Sequence, residues 1–261
     1  MSNETRTRRE RRAAERAAGR AAPRATVPAN GLDRRPSDTT LLTAGAIAAG
    51  VILVAVMLLI NGQKSANGPA NASYVIPPAP AAALMHDHSL GDPAAPVKID
   101  LWADFQCPIC DQFYTDIEPR LRSTFITTGV LQVTYHDLAF LGPESKDAAI
   151  ASRVSEAIGP GFWPYHDALY ANQGTENSGT FSRPHLADIA VALGMDRQAF
   201  LTAMDDPTYA AAVQAQAALG SSLGIDSTPT LVIAGQIYSG LPDWTQLSAL
   251  IEQLASAAPS P

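Results

Sequence analysis

Three kinds of apolar pattern follow one another along the chain. Leu41 to Ile60 reads LLTAGAIAAGVILVAVMLLI, and no charged residue occurs from Thr39 to Gln63. Twenty residues at a helical rise of about 1.5 Å cover about 30 Å, the hydrocarbon thickness of a bilayer, so 39–60 is predicted to be a transmembrane helix. A core helix is rarely apolar on every face for that length. The apolar part of a secretory signal is shorter, about 7–15 residues, although the small residues from Ala66 to Ser73 are of the kind a signal peptidase accepts. In 61–95 the apolar period disappears into Ala, Pro, Gly, Asn and Ser, with Pro77-Pro78-Ala79-Pro80 at its centre, which predicts a tether. His86-Asp87-His88 lies within it; three adjacent residues cannot close a tetrahedral metal site, and the expectation is a solvated linker.

The third pattern, over 96–261, is that of a folded domain large enough for one substantial core. Val97 to Ala103 and Leu131 to Tyr135 have strand composition and partial alternation. Between them Ile109, Phe113, Ile117 and Leu121 recur every four residues, predicting a helix with one buried stripe and a kink at Pro119. Strand, helix, strand at this spacing is a βαβ unit. Residues of about 144–224 then read as four or five short helices, punctuated by Gly159-Pro160-Gly161, Ser182 with Pro184, Gly194 with Asp196, and Asp206 before Pro207. Asp206 as N-cap and Pro207 at the first helical position make a well-formed start. Thr230 to Ile233, a turn at Ala234-Gly235 and Gln236 to Tyr238 predict a hairpin. Asp243 to Ala255 predicts a closing amphipathic helix that buries Trp244, Leu247, Leu250, Ile251 and Leu254.

Charge supplies the orientation. The formal net charge of −7 conceals ten arginines against five acidic residues in 1–38, and eight basic against twenty acidic residues in 39–261. Arg20, Arg24, Arg34 and Arg35 precede the span and only Lys64 follows nearby. The positive-inside rule therefore puts 1–38 in the cytoplasm as a basic arm, and the domain outside. The acidic major part argues against a nucleic-acid surface, which needs clustered Lys and Arg. Arg34-Arg35 is followed by Pro36 and lacks a supporting twin-arginine pattern.

The chain has two cysteines, Cys107 and Cys110, too few for a disulfide framework or an all-cysteine zinc site. They sit in Phe105-Gln106-Cys107-Pro108-Ile109-Cys110, where the first strand hands over to the first helix. With Cys107 at the N-cap and Pro108 at the first helical position, free N–H groups and the positive helix end face the Cys107 sulfur and favour thiolate. Cys107 is thus the expected nucleophile and Cys110, three residues on, the more covered resolving thiol. A bridge closing so short a loop removes little chain entropy, which weakens a purely stabilising purpose. Far downstream, Ser227-Thr228-Pro229-Thr230-Leu231 places a proline at the opening of a strand.

Asp104-Phe105-Gln106-Cys107-Pro108-Ile109-Cys110, the helical insertion and Ser227-Thr228-Pro229-Thr230-Leu231 together resemble the DsbA-like thiol:disulfide oxidoreductases of the thioredoxin superfamily in their membrane-anchored bacterial form. The resemblance covers roughly Ser89 to Ala257. It implies an α/β thioredoxin fold interrupted by a helical domain, preceded here by a single transmembrane helix. It also implies mixed disulfides at Cys107, a cis bond before Pro229, and substrate peptide aligned on Thr228 and Pro229, with Pro108, Ile109, Asp104 and Phe105 in support. No cofactor or metal is implied. The partners implied are exported thiol-containing polypeptides and a membrane redox partner that resets the cysteine pair.

Two departures stand out. Many relatives carry an acid six positions before the first cysteine, where this chain has Leu101. Asp100 falls on the other face of the strand, and Asp104 is expected nearer the surface turn, where it or water could handle the proton. The dipeptide Pro108-Ile109 also lacks the histidine of strongly oxidising members. The alternatives to disulfide formation are a reductase using the same residues, or a non-catalytic chaperone or metal carrier that would pair the thiols with His136 or His166.

Overall fold

The two strands expected on either side of the cysteine motif lie at the centre of a six-stranded sheet in the computed structural model, which describes residues 73–258. The arm 1–38, the span 39–60 and the first part of the tether lie outside the described residues. Among the described residues no helix is long and apolar enough to cross a membrane.

The strands are β1 (Met85–His86), β2 (Ser89–Leu90), β3 (Val97–Ala103), β4 (Leu131–Asp137), β5 (Thr230–Ile233) and β6 (Gln236–Ser239), in the order β1-β2-β4-β3-β5-β6. β3 and β4 are parallel, from Val97 opposite Leu131 to Ala103 opposite Asp137. β5 runs antiparallel to β3, with Leu101 opposite Leu231. This register brings the start of β5, and Pro229 just before it, to the end of β3 that leads into the cysteine turn.

β1 and β2 fall inside the segment expected to be tether, so that expectation is corrected: 82–90 is folded, with a 3-10 turn at Ala82–Leu84 and Leu90 opposite Val133 of β4. Strands of two residues are too short to display an alternation. His88 is likewise no solvated linker residue. It packs tilted against Phe162 at 4.3 Å between ring centres, and burial, with help from Arg153, pushes its pKa down to about 3.

α1 occupies residues 108–126 in four successive segments, Pro108–Gln112, Phe113–Ile117, Glu118–Leu121 and Arg122–Ile126, the second and fourth being π-helical. The disturbance expected at Pro119 takes the form of a widened turn. Pro119 has no N–H for the carbonyl four residues back, and the π-turn, with Glu118 N–H on the Phe113 carbonyl, lets it enter the next segment in its first turn. The buried stripe consists of Cys110, Phe113, Ile117 and Leu121; Ile109, expected to belong to it, is 39% exposed. Cys110 takes the inward position because the helix begins at Pro108 and turns Ile109 outward.

The helical insertion contains five helices, α2 (Pro143–Ile158), α3 (Phe162–Ala171), α4 (Arg183–Ala192), α5 (Arg197–Ala203) and α6 (Pro207–Ser222). Asp206 caps α6 by accepting from Thr208 N–H at 2.9 Å, with Pro207 in the first turn as expected. α7 (Trp244–Ala257) closes the chain behind its N-cap Asp243 and buries Leu247 and Ile251.

The two sheet faces are filled differently. Ile99, Leu101, Val133, Tyr135, Leu231 and Ile233 join α1 and α7 in the main core. On the other face Trp102 packs with Leu138 and Ile225, and α6 approaches so closely that a Cβ on Gly220 would lie 2.9 Å from the Trp102 ring. Asp100 is on this second face, accepting from His136 Nε2 at 2.9 Å, which is the orientation the strand alternation requires.

Candidate active site

β3 ends at Ala103 and the chain turns through Asp104-Phe105-Gln106 into α1. Cys107 is the N-cap (φ −71°, ψ 120°) with Pro108 at the first helical position. Its N–H donates to the Asp104 carbonyl at 3.0 Å, and its carbonyl accepts the first helical hydrogen bond, from Asp111 N–H at 3.1 Å. The sulfur lies 3.5 Å from the Thr228 carbonyl oxygen, and the Thr228-Pro229 bond is cis. Two segments 121 positions apart in the chain thus meet at one atom, as the resemblance implied.

The two thiols are free, and both are buried, Cys107 at 7% and Cys110 at 2% exposure. Their acidities diverge. Cys107 is pulled down to about 6, first by the hydrogen bond with the Cys110 thiol, against the opposing effect of burial, and further by Thr228 and the N–H groups of Cys110 and Ile109. The Thr228 hydroxyl is buried and has no partner of its own, leaving it free to donate to a thiolate. Cys110 is pushed well up, chiefly by burial and then by the same hydrogen bond. The arrangement therefore supports one thiolate and one thiol, in an order set by depth.

Asp104 is not near the surface, as its position beside the turn suggested: it is 1% exposed. Its carboxylate accepts from the N–H groups of Gln106 (2.9 Å), Phe140 (3.0 Å) and Leu141 (3.2 Å). Burial nevertheless raises its pKa, with these N–H groups acting in the opposite direction. Phe105 is buried and stacks on Tyr135 at 5.1 Å, while Tyr170 donates to the Asp104 carbonyl at 3.4 Å. Pro108 and Ile109 stand exposed at the mouth. Leu101 is enclosed between Tyr135 and Leu231, at 2% exposure.

Neither histidine joins the thiols. His136 is held on the other sheet face by Asp100 and by Gln216 at 2.9 Å. His166 is fully buried among Phe105, Tyr114, Tyr135, Phe162, Trp163 and Tyr170 and donates from Nδ1 to Asp167 at 2.8 Å. Glu118, His166 and Asp167 are close enough together to form a metal-ligand set among the described residues, but neither cysteine belongs to it. The Arg122 guanidinium already occupies its carboxylates, donating to both Asp167 oxygens (2.8 and 2.6 Å) and to Glu118.

The polar residues that hold the turn were not legible in the sequence. Gln106 donates to Ser145 Oγ at 2.9 Å and accepts from Asn177 N–H at 2.6 Å, and Gln173 donates to the carbonyls of Phe105 and Cys107. A glutamine in a helical block carries no pattern that announces such a partner.

A family model described as thioredoxin matches residues 84–253. Disulfide bond formation protein D of Bacillus subtilis (strain 168) is 27% identical over 166 residues, which is 63% of this chain and 75% of that protein. The crystal structure of oxidised BdbD from Bacillus subtilis superposes with a TM-score of 0.61 at 26% identity, over 65% of this chain and 93% of that one. Chlamydia trachomatis DsbA shares the fold, with a TM-score of 0.59 at 21% identity over 69% of this chain and 98% of the other. The chain belongs to the thioredoxin family, and within that superfamily it is a DsbA-like thiol:disulfide oxidoreductase.

Proposed function

We propose that this oxidoreductase works outside the cytoplasmic membrane, anchored by residues 39–60, and forms or exchanges disulfides in exported polypeptides through Cys107-Pro108-Ile109-Cys110. The observation that carries the reading is the divergence of the two thiols, Cys107 held toward thiolate at a helix start and Cys110 buried as a thiol. In the oxidised pair, a client thiolate attacks Cys107 Sγ. The Cys107–Cys110 bond breaks, Cys110 leaves with the electron pair and takes up a proton, and the client is joined to Cys107. A second client thiolate attacks the client sulfur of that mixed disulfide and expels Cys107 as thiolate. The client has lost two electrons and the cysteine pair has gained them. A membrane redox partner removes them to reset the pair.

Stabilising the departing Cys107 thiolate favours this direction, because the better leaving group leaves faster. Thr228 and Pro229 offer the backbone against which a client segment lies, while Pro108 and Ile109 form the exposed lip and Asp104 and Phe105 hold the turn. The membrane assignment is supported by the uncharged span and the arginines before it. Disulfides persist in that compartment, which agrees with the chemistry. The name of the Bacillus subtilis relative, a disulfide bond formation protein, supports the same direction.

The test uses reduced, unfolded client protein and the full chain. Cys107→Ser and Cys110→Ser are each expected to abolish client oxidation, because neither can form the Cys107–Cys110 disulfide that takes up the client's two electrons. Full activity in Cys107→Ser overturns the catalytic reading. A couple measured near the thioredoxin potential, about −270 mV, would reverse the direction and assign a reductase.

A further inference from the structure

Gln173 lies just beyond α3, in the insertion, yet its side chain is spent on the cysteine turn. Its Nε2 donates to the Phe105 carbonyl at 2.7 Å and to the Cys107 carbonyl at 3.1 Å, using both amide protons. The Cys107 N–H is separately committed to the Asp104 carbonyl at 3.0 Å. The peptide groups on both sides of the Cys107 Cα are therefore tied, one by the turn itself and one by the insertion. We propose that Gln173 is a positioning residue for the redox reaction: by holding the Cys107 carbonyl it fixes the N-cap conformation that keeps the Cys107 sulfur over the first N–H groups of α1.

The physical case rests on ψ. An N-cap residue needs an extended ψ, here 120°, to aim its side chain back over the helix start. Only one main-chain bond, from Asp111 N–H, otherwise restrains the Cys107 carbonyl, and Pro108 has no N–H to lend. Without the amide, that carbonyl can rotate toward water, and the sulfur follows. The groups that meet the sulfur are the Cys110 thiol, Thr228, and the N–H groups of Cys110 and Ile109, and each is a directional contact that weakens with misalignment. The next residue back, Asn172, is tied to the entering chain, accepting from Val75 N–H at 2.9 Å and donating to the Val75 carbonyl at 2.7 Å. The corner that carries Gln173 is thus anchored on its far side, and can act as a fixed point.

This inference rests on the reading of Cys107 as the nucleophile, and the experiment separates the two. The rate of iodoacetamide reaction at Cys107 is followed against pH in the reduced full chain, for the natural sequence, Gln173→Ala and Gln173→Glu, with thermal unfolding of each. Glutamate keeps the shape of the side chain but, as a carboxylate, has no proton to donate. Both variants are expected to move the midpoint upward by about one pH unit, about a tenfold loss of thiol acidity, and to slow client oxidation at neutral pH. A midpoint that stays put while the unfolding temperature falls overturns the inference and leaves Gln173 a structural residue. If the natural sequence itself titrates near 8.5, or Cys110 reacts first, the nucleophile assignment fails and the inference fails with it.

Discussion

Arg122→Ala is the substitution whose consequence can be worked furthest. Arg122 and Glu118 lie on α1, Asp167 on α3, and the guanidinium bridges the helix bearing the cysteines to the insertion. The side chains of Glu118 and Asp167 are only 6% and 2% exposed, and His166 beside them is fully buried. Alanine removes the one fixed positive charge and leaves two carboxylates in an apolar, aromatic surrounding. Losing one partner of a buried ionic set costs about 3–5 kcal/mol, far more than the interaction contributes relative to an apolar replacement. For a folded unit of this size that is a fall of about 6–20 °C in unfolding temperature.

The pH dependence has a definite sign. Burial pushes the Asp167 carboxyl up, but hydrogen bonds from His166 and Arg122 outweigh it and hold the group below its ordinary range. A depressed carboxylate contributes stability that is present above its unfolded pKa, about 3.9, and is lost as pH falls through the folded value. Without Arg122 the Asp167 carboxyl loses the guanidinium that helps hold it down, and burial favours its protonation as the solution is acidified. The deficit of the variant is therefore expected to be largest at pH 7 and to shrink by pH 4. Urea unfolding of both chains at the two pH values measures it. A loss below about 1 kcal/mol at pH 7, the range of exposed ion pairs, or a deficit that grows on acidification, refutes the account of a buried, mutually dependent set.

Further expectations concern the thiols and the second sheet face. With Cys107 near 6, about nine-tenths of it is thiolate at pH 7 and about one-tenth at pH 5, so alkylation should be roughly tenfold faster at the higher pH; a flat profile between these values contradicts the site geometry. Because the folded pKa is depressed below an unfolded value of about 8.5, the reduced chain carries a stabilisation that is full above about pH 8.5 and is lost as pH falls toward about 6. The oxidised chain lacks this term, so the difference between their urea midpoints should move in favour of the reduced form as pH rises through that window. Gly220→Ala sets a Cβ at 2.9 Å from the buried Trp102 ring. Overpacking of about 1–3 kcal/mol should exceed the gain in helix propensity of about 1 kcal/mol, and a more stable variant in thermal unfolding would show that α6 can move away freely.

The sequence by itself determined the strand-to-helix turn that carries the two cysteines and the order of the main elements around it. Proline after Cys107 both starts a helix and places the sulfur at its N-terminus, and that relation is local, so it could be read without knowing any distant contact. The alternation in Val97 to Ala103 was enough to predict that Asp100 and Leu101 face opposite ways, which the structure bears out in the Asp100–His136 pair and the enclosed Leu101. The helical block and its Asp206-Pro207 start were also local, because capping depends on neighbours a few positions apart.

Tertiary structure decided what depends on depth and on distant partners. Asp104 follows a strand as a loop residue does, and only the return of the chain through Phe140 and Leu141 buries it and supplies its N–H donors. Ile109 shares the spacing of the buried stripe, but the exact start of α1 turns it outward and Cys110 inward, and this inversion is what separates the acidities of the two thiols. The strands in 85–90 exist because β4 offers an edge, not because four residues carry a pattern. Local geometry could name the sulfur that sits at the helix start; which groups hold it is settled by contacts such as Gln173 to Cys107 and Thr228 to Cys107, which link positions 66 and 121 residues apart and leave no periodic trace in the chain.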